Sequence, residues 1–378
     1  MVLCGLCGAF VQKGLNEMIL MMSLLLAFAL AWPKWRLVRS HPTACYAACV
    51  AVDALTITAV WSGWSQQASG FAALFMGIFT QGGLAGALFV LVMYAGAVKN
   101  GGVYIRHIMP IRRELSIMAS ILTLGHNIAF GRTYFVRLFT MAGELRWNIL
   151  AAAICSLVMI VILLPLFVIS FKPIRRVMSG KRWKKLQRWA YLIYGLMPVH
   201  IVLVNLTGLQ EHKLSAIVNV LLYSVVFITY GVLRVRKALL RKHRDGWAKS
   251  VIAAGAALLI GIIALVFVPL PHQNEPLQST ANLYEGSYMD GKYIGAAIGY
   301  NGRLKVAVII TDGKISECRL TATVEDEPYQ TRATDYVFAE AIRTNAVNID
   351  SLSGATSTAD ALIEAIGAAL VKAMPVNP

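Results

Sequence analysis

Charge is what this sequence has least of. Only 14% of its 378 residues are charged, where a soluble domain carries roughly a quarter. Acidic residues are thin before residue 270, so the net charge of +16 arises mainly there. Cysteine is scarce as well: six are scattered at 4, 7, 45, 49, 155 and 318, and only Cys318 follows residue 270. A disulfide framework in the C-terminal part is therefore excluded. Cys4-x-x-Cys7 is a lone pair in a short tail and reads as hydrophobic tail before metal or redox site. Cys45 and Cys49 stand one helical turn apart, which reads as small-residue packing. No hydrolytic triad, phosphate-cradling glycine loop or zinc spacing stands out. That argues against a hydrolase or an ATP-driven transporter. No cytosolic NAD(P)H domain is visible either.

What is present is apolar: 57% of the chain. Many runs reach the roughly 20 residues that a helix needs to cross the hydrocarbon core. Eight spans are expected, near 16–32, 43–64, 71–97, 112–134, 147–171, 189–208, 214–233 and 250–270. The first is the weakest, with Glu17 at its edge. A cleaved signal peptide is its rival reading, but Trp32-Pro33-Lys34 lacks a small-residue cleavage site. Loops 33–42, 98–113, 172–188 and 234–249 together hold 22 Lys and Arg, and the N-terminal tail with the alternate loops holds 5. Positive charge stays inside, so both termini are expected outside the cytoplasm of a multi-pass plasma-membrane protein. The basic balance thus implies membrane lipid as its counterpart and no nucleic acid.

After residue 270 the composition changes. Residues 271–283 read as a polar linker. Val306 to Ile310 and Ile315 to Leu320 flank Asp312-Gly313, a β-hairpin signal. Residues 358–374 have the apolar spacing of an amphipathic helix. The expected fold is an all-α polytopic membrane bundle of about eight transmembrane helices plus a small α+β extracytoplasmic domain. Its parts are a tail and extra helix (1–42), a helical bundle (43–233), a basic loop and final span (234–270), the linker (271–283) and the C-terminal domain (284–378).

That domain contains Asp350-Ser351-Leu352-Ser353-Gly354-Ala355-Thr356. These seven residues resemble the flavinylation signature Asp-x-x-Ser/Thr-Gly-Ala-Thr of the FMN-binding domain family. The family includes covalently flavinylated subunits of the sodium-pumping NADH:quinone oxidoreductase and the Rnf complex. The resemblance runs from about Tyr284 to Ala373 and includes Asp290 to Gly295, Gly299-Tyr300 and the Asp312-Gly313 hairpin. It implies FMN attached through its phosphate to Thr356 by a separate flavin transferase. Asp350, Ser353, Gly354 and Ala355 would form the rest of the site. The residues suit that chemistry: Gly354 and Ala355 permit close approach, and a helix N-terminus favours a phosphodiester. The plainer alternative is a polar turn capping a helix. Many family members are Gly-rich where this chain has Glu325 to Thr331, so ring contacts do not transfer. Tyr329 is the candidate stacking residue there.

Two histidines lie inside expected spans. His126 is 13 residues beyond Arg113, and His200 is 12 beyond Arg188. Both helices start on the inner side, so both rings stand about 18–20 Å above it. Neutral imidazoles at one depth can ligate a haem iron axially; each could instead bond a neighbouring helix. Residues 43–233 resemble the ferric reductase-like transmembrane domain, through Arg112-Arg113-Glu114-Leu115 with His126, and Trp183 to Arg188 with His200. In two-haem members of that family, histidines stand where this chain has Arg112 and Gln187. The resemblance therefore implies one haem b, in the outer half. His107 as a substitute ligand is separated from the span by Pro110. Asp53, the acid deep in the second span, reads as a proton acceptor in quinol oxidation or as a carboxylate bonded to Thr56 or Thr58. Arg132, Arg137 and Arg146 read as interfacial anchors, or as partners of haem propionates or flavin.

The expected function is electron transfer from quinol, or from a cytosolic flavoprotein reductase, through haem b to FMN and an extracytoplasmic acceptor. The alternative is a membrane-tethered flavin carrier without a haem path.

Overall fold

Long apolar runs cannot leave backbone polar groups unpaired in lipid, so they form helices. The computed structural model describes residues 19–67, 70–99, 101–268, 287–327, 329–350, 352 and 355–375. Cys4, Cys7, the linker, Ser353 and Gly354 lie outside the described residues. The chain divides into two compact units, one of residues 1–134 and 152–270, the other of 135–151 and 271–378.

The first unit is helical. Its main elements are α1 (Ile19–Ala31), α2 (Pro42–Trp61), α3 (Gly70–Thr80), α4 (Gly83–Ala97), α5 (Arg112–His126) and α6 (Arg132–Thr140). α7 (Trp147–Val168), α8 (Ala190–Gln210), α9 (Leu214–Leu240) and α10 (Asp245–Val266) follow; α6 and α7 each cross from one unit into the other. Five described helices are long and apolar enough to cross a membrane: α2, α7, Gly180–Gln210 with α8 as its apolar part, α9 and α10. A sixth is α3 with α4, if that pair, bent by 56°, is one span. The chain is a membrane protein. The count of eight spans expected from hydropathy is not confirmed. α1 is described over 13 residues, Ile19–Ala31. The run from 112 opens on Arg112, Arg113 and Glu114, then breaks into a π-helical turn at Asn127–Gly131.

α5 packs on α2 and α4, and α9 packs on α8 and α10. Leu88, Met93, Ile108 and Leu115 are wholly enclosed in the core between them. By contrast α10 exposes Leu258, Ile260 and Leu265, as expected of a helix bathed in lipid.

The second unit has one antiparallel sheet in the order β1 (Gly291–Ile298), β2 (Arg303–Thr311), β3 (Lys314–Ala322). β2 and β3 meet at Asp312 and Gly313, both with positive φ, +53° and +73°. Such a two-residue turn matches the strands' twist, and the Asp290 carboxylate accepts from both turn N–H groups at 3.1 and 2.9 Å. The expected hairpin is thus present. Helices α11 (Tyr329–Thr344) and α12 (Thr356–Ala373) pack with the sheet. Leu304, Val306 and Val308 of β2 meet Leu362, Ile366 and Leu370 of α12 in a closed core. Cys318 sits in this core, where burial pushes its thiol up to about 12, so it is inert as a nucleophile.

Candidate functional site

Thr356 is the first residue of α12. Its side chain is exposed, and its hydroxyl donates to the Leu352 carbonyl at 3.2 Å. The buried Ala355 occupies the cap position, with no side-chain hydrogen bond to the first turn. A helix N-terminus offers N–H groups and the positive end of the helix dipole. The polar-turn alternative begins at Ser353, which lies outside the described residues. Asp350 is exposed nearby in sequence, and Tyr329 opens α11 with half its surface exposed (52%).

Two residues beyond Thr356, the Thr358 hydroxyl donates to Glu325 Oε2 at 2.7 Å. Glu325 is buried. It also accepts backbone N–H bonds from Tyr300, Asn301 and Gly302. A Cβ at Gly299 would stand 2.7 Å from Glu325 Oε1, so any larger residue there would push the carboxylate aside. Burial pushes the Glu325 carboxyl up from its ordinary range, while Thr358 and the three N–H donors pull it back down. One carboxylate thus ties the β1–β2 turn to the first turn of α12. In the sequence Glu325 stands out only as a departure from a Gly-rich pattern, and nothing there marks it as buried.

Replacing Glu325 with Gln sets an amide N–H2 against backbone or hydroxyl donors. Leaving such groups unsatisfied costs about 1–3 kcal/mol. Amide hydrogen exchange at residues 299–302 of the full chain is expected to quicken about tenfold to a hundredfold in Glu325→Gln. Unchanged exchange there would remove Glu325 from this role.

In the helical unit, His126 and His200 are each fixed through Nδ1. His126 Nδ1 lies 2.8 Å from the Thr80 carbonyl, and His200 Nδ1 lies 3.1 Å from the Ala152 carbonyl. A carbonyl only accepts, so each Nδ1 carries the proton and each Nε2 keeps its lone pair. The bend between α3 and α4 explains the first bond: at the end of α3 the Thr80 carbonyl is turned to the ring. Gly82, at φ +71°, packs 3.3–3.5 Å from that ring through the place where a Cβ would be. α5, which carries His126, and α8, which carries His200, are not among the closely packed helix pairs.

Asp53 of α2 lies half-buried on Gly125, so close that any Cβ at 125 would collide with its carboxylate. Gly125 immediately precedes His126. Thr58, one expected partner of Asp53, donates instead to the Ala54 carbonyl at 2.8 Å. His107 stacks on Trp32 at 4.6 Å and bonds the Val103 carbonyl. Arg132 lies over the Trp61 ring, while Arg137 and Arg146 engage the second unit's own backbone. Among the described residues no group of three or more His, Cys, Asp or Glu gathers as a metal site.

A model of the FMN-binding domain family matches residues 299–371. The C-terminal unit contains an FMN-binding domain. The chain is also 34% identical to a protein of Treponema pallidum (strain Nichols), described as an uncharacterized protein, over 357 residues. The match covers 93% of this chain and 99% of that relative, so the chain belongs to the same family. No solved structure matches it. The FMN-binding match runs from the turn at Gly299 through Glu325 and Thr356 into α12. The two features joined by the Glu325 carboxylate are therefore both parts of the FMN-binding domain, which gives this membrane protein a flavin-carrying, electron-transfer role.

Proposed function

We propose that this protein carries electrons across the membrane to an FMN esterified to Thr356 outside the cytoplasm. The donor is a membrane quinol or a cytosolic flavoprotein reductase, and the acceptor is extracytoplasmic. The observation that carries this reading is the pair His126 and His200, each with Nδ1 committed to a backbone carbonyl, in a chain that ends in an FMN-binding domain. His126 and His200 would hold a haem b through their Nε2 lone pairs. Such fixing of the tautomer through the second nitrogen is usual for metal-ligating histidines. When bound, haem supplies one-electron transfer and FMN supplies one- or two-electron transfer.

The chain's own residues do the rest. Thr80 and Ala152 orient the two rings. Gly82 leaves room for the His126 ring, and Gly125 leaves room for the Asp53 carboxylate. Asp53, free of Thr58 and seated beside that histidine, accepts a proton released as quinol is oxidised. Thr356 offers its exposed hydroxyl for esterification by a flavin transferase. The loop charges support the outside placement of both termini.

His126→Ala and His200→Ala are expected to remove the b-type absorption band and stop flavin reduction by membrane donors, with flavin load unchanged. Difference spectra of solubilised full-length protein test this. Unchanged flavin reduction in both variants would favour the tethered carrier instead.

A further inference from the structure

Residues 135–151 join the stretch that carries His126 to Ala152, the residue that holds His200, yet they fold with the FMN-binding domain. Their contacts converge on one place. Arg137 donates to Asp326 Oδ1 at 2.7 Å and to the Glu325 carbonyl at 3.0 Å. Leu145 forms an antiparallel bridge with Gly302, and the Arg146 N–H donates to the Asn301 carbonyl at 2.9 Å. Arg146 also reaches the Gly299 carbonyl at 3.3 Å, and Glu144 pairs with Lys305 at 3.3 Å. A Cβ at Gly302 would stand 2.9 Å from Leu145 Cα and nearer still to the Glu144 carbonyl. The segment therefore grips the same turn that Glu325 ties to α12.

We infer that this grip is a positioning clip. Arg137 with Asp326, and Leu145-Arg146 with the turn 299–302, tie the flavin-bearing helix end to the short segment that runs, in sequence, between the histidine-bearing stretches. The FMN-binding domain is then attached through residues 135–151 as well as through its own chain connection after residue 270. This rests on the electron-transfer reading above. Arg137 and Asp326 are positioning residues; neither is assigned a contact with a cofactor.

The test uses the full chain in native membranes, with Arg137→Glu, Asp326→Arg and the double charge swap. Two readouts separate the clip from the electron path. Carbodiimide cross-linking is expected to join Glu144 to Lys305 in the wild type, to fail in each single variant and to return in the double. Flavin reduction by membrane donors is expected to slow about tenfold or more in the single variants, with flavin load and reduction by dithionite unchanged, and to recover in the double. No Glu144–Lys305 cross-link in the wild type overturns the clip. Cross-link lost with reduction at the wild-type rate overturns its positioning role. A wild-type protein whose flavin membrane donors never reduce overturns the electron path, and the positioning role with it, whatever the cross-link shows.

Discussion

Thr356→Ala is expected to abolish covalent flavin. Full-length protein made alongside a flavin transferase should carry in-gel flavin fluorescence, and an intact mass increased by one FMN, only when Thr356 is present. The effect is all or none because the ester needs a hydroxyl. A collapse of the domain would mimic it, but the geometry makes collapse a poor explanation. The side chain is exposed, and its hydroxyl donates to the Leu352 carbonyl one turn back. Exposed substitutions away from special features change stability by about 0.5 kcal/mol or less, and alanine is a strong helix former. Melting of the variant should therefore match that of the wild type. Thr356→Ser is the sharper companion: it keeps a hydroxyl at the same helix end and should retain flavin if the transferase accepts serine. Flavin that survives denaturation of Thr356→Ala would move the attachment elsewhere, though not to Thr358, whose hydroxyl is buried and committed to Glu325.

How much of this was legible in the sequence depends on whether the signal was local. The turn at Asp312-Gly313 was legible because its backbone demands residues that tolerate positive φ. α12 was legible from apolar spacing, and its start at Thr356 from the polar residues that open it. His126 and His200 were visible because an imidazole in an apolar run is conspicuous. Their carbonyl partners were not, since Thr80 and Ala152 lie 46 and 48 residues away. Glu325 was hidden for the same reason. Its four donors come from a turn more than 20 residues before it and a helix 33 residues after it. Segment 135–151 looked like an ordinary loop between spans, and Arg137 and Arg146 like interfacial anchors. Their use as a grip on the β1–β2 turn depends on contacts more than 150 residues apart, which no periodicity encodes. Hydropathy likewise gave no sign of the π-helical turn after His126, a feature that tends to mark functional sites.

The stability of the flavin-bearing helix should hinge on a residue without a side chain. Gly295 lies in β1 directly beneath α12. A Cβ there would stand 2.7 Å from the Ala369 backbone nitrogen and nearer still to the Ala365 carbonyl. Real Cβ atoms do not approach so closely, and these are helix backbone atoms that no rotamer change can move. Gly295→Ala must therefore lift α12 off the sheet. That loosens Leu362, Ile366 and Leu370 from Leu304 and Val306, all of them fully buried. Overpacking a core costs about 1–3 kcal/mol and sometimes more. With rigid backbone on the far side, about 3 kcal/mol is the expected size, against a total of about 5–15 kcal/mol for a domain. Melting should fall by roughly 12–24 °C for a domain of this size. Gly143→Ala is the matched control, since a Cβ at 143 meets nothing within 4 Å, and it should melt as the wild type does. The consequence reaches the site because α12 begins at Thr356. A helix displaced along its length presents its first hydroxyl, and its first-turn N–H groups, in a new place. Flavin load should fall together with melting temperature in Gly295→Ala, whereas in Thr356→Ala it should fall alone. Equal melting of Gly295→Ala and wild type would mean that α12 is not seated on β1 as described, and the placement of Thr356 would fall with it.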